Sequence, residues 1–188
     1  MSSEPVFPNY MPVEDYLEFD GYRDIRYEYV GGYLYAMVGA SRRHNLIVSG
    51  ISARLWQAAQ GTTCQVFSSA MRLRVASDVY YYPDIVVTCR ADDVAEHYIE
   101  HPCLIVEVLS PATQSRDRGE KLLAYRQIDA LKTFLIVHQD DMRVERHWRD
   151  DSGTWQRVDV ISPGAHIPLR CLDLELRLTD IYANLPEA

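Results

Sequence analysis

Apolar positions along the chain follow two kinds of pattern. Between Ser41 and Gly61, residues Leu46, Ile47, Ile51 and Leu55 recur at helical spacing, with Ser41 able to cap the start and Gly61 to end it. Elsewhere the runs are short and rich in β-branched and aromatic residues. IRYEYV and YLYAMV flank Gly31-Gly32, a hairpin signal. Strands are expected at 64–67, 71–75, 83–89 and 103–109, and again at TFLIVHQ, MRVERHWRD and GTWQRVDVI. Short helices are expected at MPVEDYLEFD, with Pro12 near its first turn, at SRDRGEKLLAYRQID and at LTDIYANL. No repeat, low-complexity tract or long linker interrupts this order. It predicts an α/β fold, a mixed sheet covered by helices, in one domain of residues 12–188 behind a tail of residues 1–11.

Composition narrows the class. The 188 residues are 47% hydrophobic and 24% charged, ordinary for a globular chain with a real core. The formal net charge of -8 favours solubility and opposes loose binding to a polyanion, without excluding a local basic groove. No segment approaches the roughly 20 apolar residues of a membrane span, and MSSEPVFPNY has neither the basic start nor the apolar stretch of a signal peptide. Cys64, Cys89, Cys103 and Cys171 form no C-x-x-C pair, so no zinc cluster is expected. These features predict a cytoplasmic protein with reduced, mostly buried thiols.

Candidate chemistry starts at CLIVEVLSPAT, residues 103–113. Glu107 lies inside an apolar, β-branched run stopped by Ser110-Pro111, the signature of a strand buried on both faces. A lone buried carboxylate costs several kcal/mol, so Glu107 needs a proton, a basic partner or a metal ion. A second strand of this kind, YYYPDIVVTC, carries Asp84. If the two strands are neighbours, the two acids face each other and either share a proton or hold a divalent cation. The latter is the chemistry of metal-assisted phosphodiester cleavage. On the following helix Asp117, Lys121 and Tyr125 recur at i, i+4 and i+8 and share one face. Lys121 can then reach the carboxylates, to orient an attacking water or neutralise charge developing on phosphorus.

Plainer readings compete. Asp117 fits a helix N-cap, and Tyr125 fits core packing. Glu28 alternates with Tyr27 and Tyr29 like an exposed strand residue. Arg42, Arg43 and His44 form a small basic patch suited to phosphate at a helix start. Arg72, Arg74, Arg143, Arg146 and Arg149 alternate like exposed strand faces that meet solvent.

Taken together, Pro83-Asp84, a gap of 22 residues, the EVLSP of Glu107–Pro111, and RDRGEKLLAYR resemble the PD-(D/E)XK nuclease superfamily. The likeness is strongest to its Uma-two branch of restriction-endonuclease-like proteins, and the stretch YEYVGGYLYAMVGASRRHNLIV also resembles that branch's opening motif. The likeness runs over roughly residues 12–183. It implies a three-layer restriction-endonuclease-like fold, with a mixed central sheet flanked by helices, often in a homodimer. It implies that Asp84 and Glu107 bind Mg²⁺ or Mn²⁺, and that DNA is the partner. The superfamily's lysine two positions after the second acid is Leu109 here, so the resemblance points to Lys121 as its replacement. Glu28 matches a further acid that completes the site, and His44 matches a position without an assigned role. The expected activity is that of a metal-dependent endodeoxyribonuclease. The alternatives are a catalytically inactive nuclease-fold module for nucleic-acid binding or self-assembly, and a hydrolase of smaller phosphoesters.

Overall fold

A computed structural model of the protein describes residues 10–19, 25–37, 39–110 and 117–186. Residues 1–9 of the expected tail, Pro111, and the start of the helix expected after it lie outside the described residues. The chain order is α1 (Val13–Glu18), β1 (Tyr27–Val30), β2 (Tyr33–Ala36), α2 (Arg42–Ala59), β3 (Gln65–Ser68), β4 (Arg72–Ala76), β5 (Val79–Tyr81), β6 (Ile85–Thr88), β7 (Tyr98–Ile99) and β8 (Pro102–Val108). A π-helical turn (Asp117–Lys121) then runs into α3 (Leu122–Tyr125). The remainder is β9 (Thr133–Val137), β10 (Val144–Arg149), β11 (Trp155–Val160), β12 (His166–Leu169), β13 (Leu174–Arg177) and α4 (Leu178–Tyr182).

The central sheet is mixed, with order β11-β10-β9-β8-β6-β3; β8 and β9 are parallel and their neighbours antiparallel. Side-chain alternation sends successive residues of β8 to opposite faces. Leu104, Val106 and Val108 pack with Ile47, Ile51 and Leu55 of α2, Ile181 of α4 and Ile167 and Leu176 of the β12–β13 hairpin. Ile105 and Leu109 pack the other way, against Leu73, Tyr81 and Tyr125. Glu107 shares their parity. This second face is covered by a second sheet, β2-β1-β5-β4-β7, together with α3. The fold is thus three-layered, with α2, α4 and the β12–β13 hairpin on one side of the central sheet and the second sheet with α3 on the other.

Local sequence explains the elements that carry the site. Gly31 (φ 56°) and Gly32 (φ 92°) supply the left-handed backbone that a two-residue hairpin turn requires. Ser41 caps α2, its Oγ accepting the His44 N–H at 3.0 Å. That bond fixes the first turn of α2, on which His44 sits.

Two expectations are corrected here. Cys64 and Cys89 are joined by a disulfide. The reason is register: Gln65 pairs with Thr88 in the β3–β6 ladder, so the next positions outward, Cys64 and Cys89, lie opposite each other. Cys103 and Cys171 remain thiols. Arg146 is buried instead of facing solvent, with its guanidinium 4.3 Å from the ring centre of Trp148. Among the described residues, no helix is long and apolar enough to cross a membrane.

Candidate functional site

The pairing of β6 with β8 sets Ile85 opposite Val106. Extended by one position, it sets Asp84 opposite Glu107. The Asp84 carboxylate reaches across this pair, and its Oδ2 accepts the Val108 N–H at 2.7 Å. Nε2 of His44 lies 3.1 Å from the same oxygen. His44 therefore has a role that its sequence position did not reveal: from the capped start of α2 it holds Asp84. Burial disfavours the imidazolium, but the Asp84 bond and charge outweigh it and raise the His44 pKa above its ordinary value. The expected basic patch is divided accordingly, because the Arg43 Nε donates to the carbonyl of Gln139 and His44 faces Asp84.

Lys121 stands at the centre of the acids. Its Nζ lies 2.9 Å from Glu28 Oε1, 3.0 Å from Glu107 Oε1 and 3.4 Å from Asp117 Oδ1. Tyr125 donates its hydroxyl to the same Glu107 Oε1 at 2.7 Å. The Tyr82 N–H donates to Glu28 Oε1 at 3.2 Å. Lys121 is 4% exposed, and Glu28, Glu107 and Asp117 are less exposed still. Glu28 is thus not an exposed strand residue. It faces inward because β1 pairs with β5 at Tyr29–Tyr80, which brings Tyr81 and the residue just after that strand, Tyr82, beside it. Asp117 faces Lys121 and is almost fully buried, and Tyr125 serves both the apolar core and Glu107.

The electrostatics follow from this geometry. Burial raises the Glu107 pKa well above the ordinary carboxylate value; Lys121 opposes the shift, while Asp117, Asp84 and Glu28 reinforce it. Burial works against the Lys121 charge, but Glu107 and Glu28 more than offset it and hold the ammonium well above its ordinary pKa. The Tyr125 hydroxyl is raised by burial and by the adjacent Glu107 charge, so it stays a proton donor.

Glu28, His44, Asp84, Glu107, Asp117 and Lys121 line one cavity of about 490 Å³. Four carboxyl groups face this cavity beside Lys121, Arg26 and His44, and a divalent cation would reduce the repulsion among the acids. Oxygen donors of this kind suit a hard cation such as Mg²⁺ or Mn²⁺. The hydrogen bonds to Asp84 fall on Oδ2, and those to Glu107 from Lys121 and Tyr125 fall on Oε1. One oxygen of each carboxylate is outside these bonds. The residues present therefore fit a cation held by Asp84 and Glu107.

Comparison with known proteins agrees with this architecture. Residues 13–180 match the model of the Uma2 family, described as "Putative restriction endonuclease". The chain belongs to that family. It is 30% identical over 186 residues to the uncharacterised protein slr1290 of Synechocystis, covering 98% of this chain and 97% of that one. It is 29% identical over 157 residues to a second uncharacterised Synechocystis protein, sll1609, covering 81% of this chain and 89% of that one. Its fold matches the crystal structure of a protein from Anabaena variabilis described as a "putative nuclease". The TM-score is 0.74 at 17% identity, over 92% of this chain and 98% of the other.

Proposed function

We propose that the protein is a Mg²⁺- or Mn²⁺-dependent endonuclease that hydrolyses phosphodiester bonds in DNA. The observation that carries this reading is the meeting of Asp84 and Glu107, from paired strands, beside Lys121 and Glu28 in one cavity. Membership of a restriction-endonuclease family supports it. Asp84 and Glu107 would hold the cation, with Glu28 completing the site. When bound, the cation would supply charge neutralisation at the phosphate and a more acidic water. Lys121, kept protonated by Glu107 and Glu28, orients the attacking water or offsets charge building on the phosphate oxygens. His44 and the Val108 N–H fix Asp84, and Tyr125 fixes Glu107.

One observation favours a second reading, a nuclease fold kept for nucleic-acid binding or self-assembly. Lys121 is almost fully buried and already satisfied by three carboxylates, an arrangement that is also self-sufficient as an internal ion network. A supercoiled-plasmid assay with Mg²⁺ or Mn²⁺ separates the two. We expect cleavage by the parent and a loss on the order of 10²-fold or more in Glu107→Ala. Equal cleavage by both proteins would reject the catalytic assignment, and cleavage by neither would favour the binding module.

A further inference from the structure

All the cysteines of the chain meet at one place, and the proposed nuclease chemistry uses none of them. They come from separate segments: Cys64 just before β3, Cys89 just after β6, Cys103 at the start of β8, and Cys171 in the turn joining β12 to β13. Sγ of Cys89 lies 3.6 Å from Sγ of Cys103. The sulfurs of Cys89, Cys103 and Cys171 all lie within 4.8 Å of one another. Cys64 is bonded to Cys89, and the Cys64 and Cys89 sulfurs approach the carbonyl of Cys171 at 3.8 and 3.5 Å respectively.

These spacings resemble those of a metal–thiolate centre. A tetrahedral zinc site with Zn–S bonds of about 2.3 Å has sulfurs about 3.8 Å apart. Structural zinc sites take four such ligands and no water, and their sequence spacing need not include a C-x-x-C pair when the sheet brings distant segments together. Three of the four cysteines line a cavity of about 800 Å³, which gives an ion a route of entry. Four basic side chains, Lys132 and Arg149 among them, line the same cavity together with three aspartates. The basic side chains outnumber the acidic ones by one, so the lining offsets only part of the net negative charge that four thiolates leave on a divalent ion. His101 also borders the cavity.

We propose that, with the Cys64–Cys89 disulfide reduced, Cys64, Cys89, Cys103 and Cys171 form a four-thiolate site for a soft or borderline divalent cation of the zinc type. The redox step balances. A dithiol reductant is oxidised to its own disulfide and returns Cys64 and Cys89 to thiols. Binding one cation then releases four thiol protons to solvent. Oxidation and metal binding are alternative fates of the same sulfurs, so the site is held only by the reduced chain. Its structural effect is to clamp the β12–β13 turn to the end of β6 and β8 remote from the acids. Asp84 and Cys89 bracket β6, and Cys103 and Glu107 lie near the two ends of β8. Along a strand, four residues span about 13 Å, so the two sites are separate in space. This inference does not depend on the nuclease reading.

The test uses Co²⁺ as a spectroscopic stand-in for zinc. The full chain is reduced with dithiothreitol, desalted without oxygen and titrated with Co²⁺. The expected result is a sulfur-to-cobalt charge-transfer band with strong visible absorption, saturating at one equivalent and bleached by Zn²⁺. Cation bound at the carboxylates gives no such band, so failure of this proposal is distinguishable from failure of the nuclease assignment. Cys171→Ser, a change in a half-buried turn, is expected to weaken binding at least tenfold. Protein left oxidised is expected to show no band. Absence of the band in the reduced parent would overturn the proposal without recourse to any variant, and so would a band of undiminished affinity in both Cys171→Ser and Cys103→Ser.

Discussion

Glu107 Oε1 receives two donors, the Lys121 ammonium at 3.0 Å and the Tyr125 hydroxyl at 2.7 Å. Only one of them carries charge, and the difference is useful. Removing the Tyr125 hydroxyl leaves the ring in its packing against Phe134, at 5.2 Å between centroids, and against Tyr81 at 5.8 Å. The loss is then confined to the bond to a buried carboxylate. Hydrogen bonds to charged groups contribute about 1.5–3 kcal/mol. We expect Tyr125→Phe to lower unfolding free energy by that amount in urea titration with an unchanged m-value. A variant as stable as the parent would show that the Tyr125 bond does not hold Glu107. The site residues differ in how far the sequence reveals them. Glu107 declared itself, because a carboxylate amid Ile105, Val106 and Val108 needs an explanation. Glu28 did not, because alternation between tyrosines describes an exposed strand equally well. His44 offered only its place after Ser41, and its bond to Asp84 depends on how α2 lies over the sheet.

At the scale of elements, β6 and β8 were readable as apolar strands ended by breakers, and α2 by its periodicity and cap. The π-helical turn was not. Positions 117, 121 and 125 share a face in a regular α-helix, so the spacing carries no trace of the wider turn. The strands β5, β7, β12 and β13 also leave no clear sequence signal. They are two to four residues long, and β12 contains Pro168, which argues against a strand in sequence but is accommodated in an isolated two-stranded ladder. β10 supplies a test of its own. His147 is buried, its ring stacks on Phe134 at 5.8 Å, and its Nδ1 lies 3.1 Å from the Arg126 guanidinium. Burial, then the charges of Arg126 and Arg157, push its pKa down to about 4 from 6.5. The unfolded chain therefore takes up this proton more readily than the folded one. Stability is complete above the unfolded value and is lost as pH falls from about 6.5 towards about 4. We expect the melting temperature of the parent to fall across that window more steeply than that of His147→Gln, and parallel profiles would contradict the assignment.

The whole molecule turns on which face of the central sheet each residue meets. Period-two alternation along β8 places Leu104, Val106 and Val108 on the helical face and Ile105, Glu107 and Leu109 on the other. That division is legible from the sequence once the strand is recognised. What covers the second face is not. The second sheet brings Glu28 on β1, and the turn before α3 brings Asp117 and Lys121, through contacts between segments far apart along the chain. The cysteine cluster has the same origin: no local spacing announces it, because each sulfur comes from a different segment. The fold therefore builds two polar centres, near opposite ends of the same paired strands, from residues that appear unrelated in order. The most direct measurement is the anomalous difference density of a crystal soaked in Mn²⁺. A peak between the carboxylates of Asp84 and Glu107, with the Lys121 ammonium beside it and absent from Glu107→Gln, is the predicted result. A well-ordered cavity with no peak at millimolar Mn²⁺, or manganese bound only elsewhere, would contradict the account.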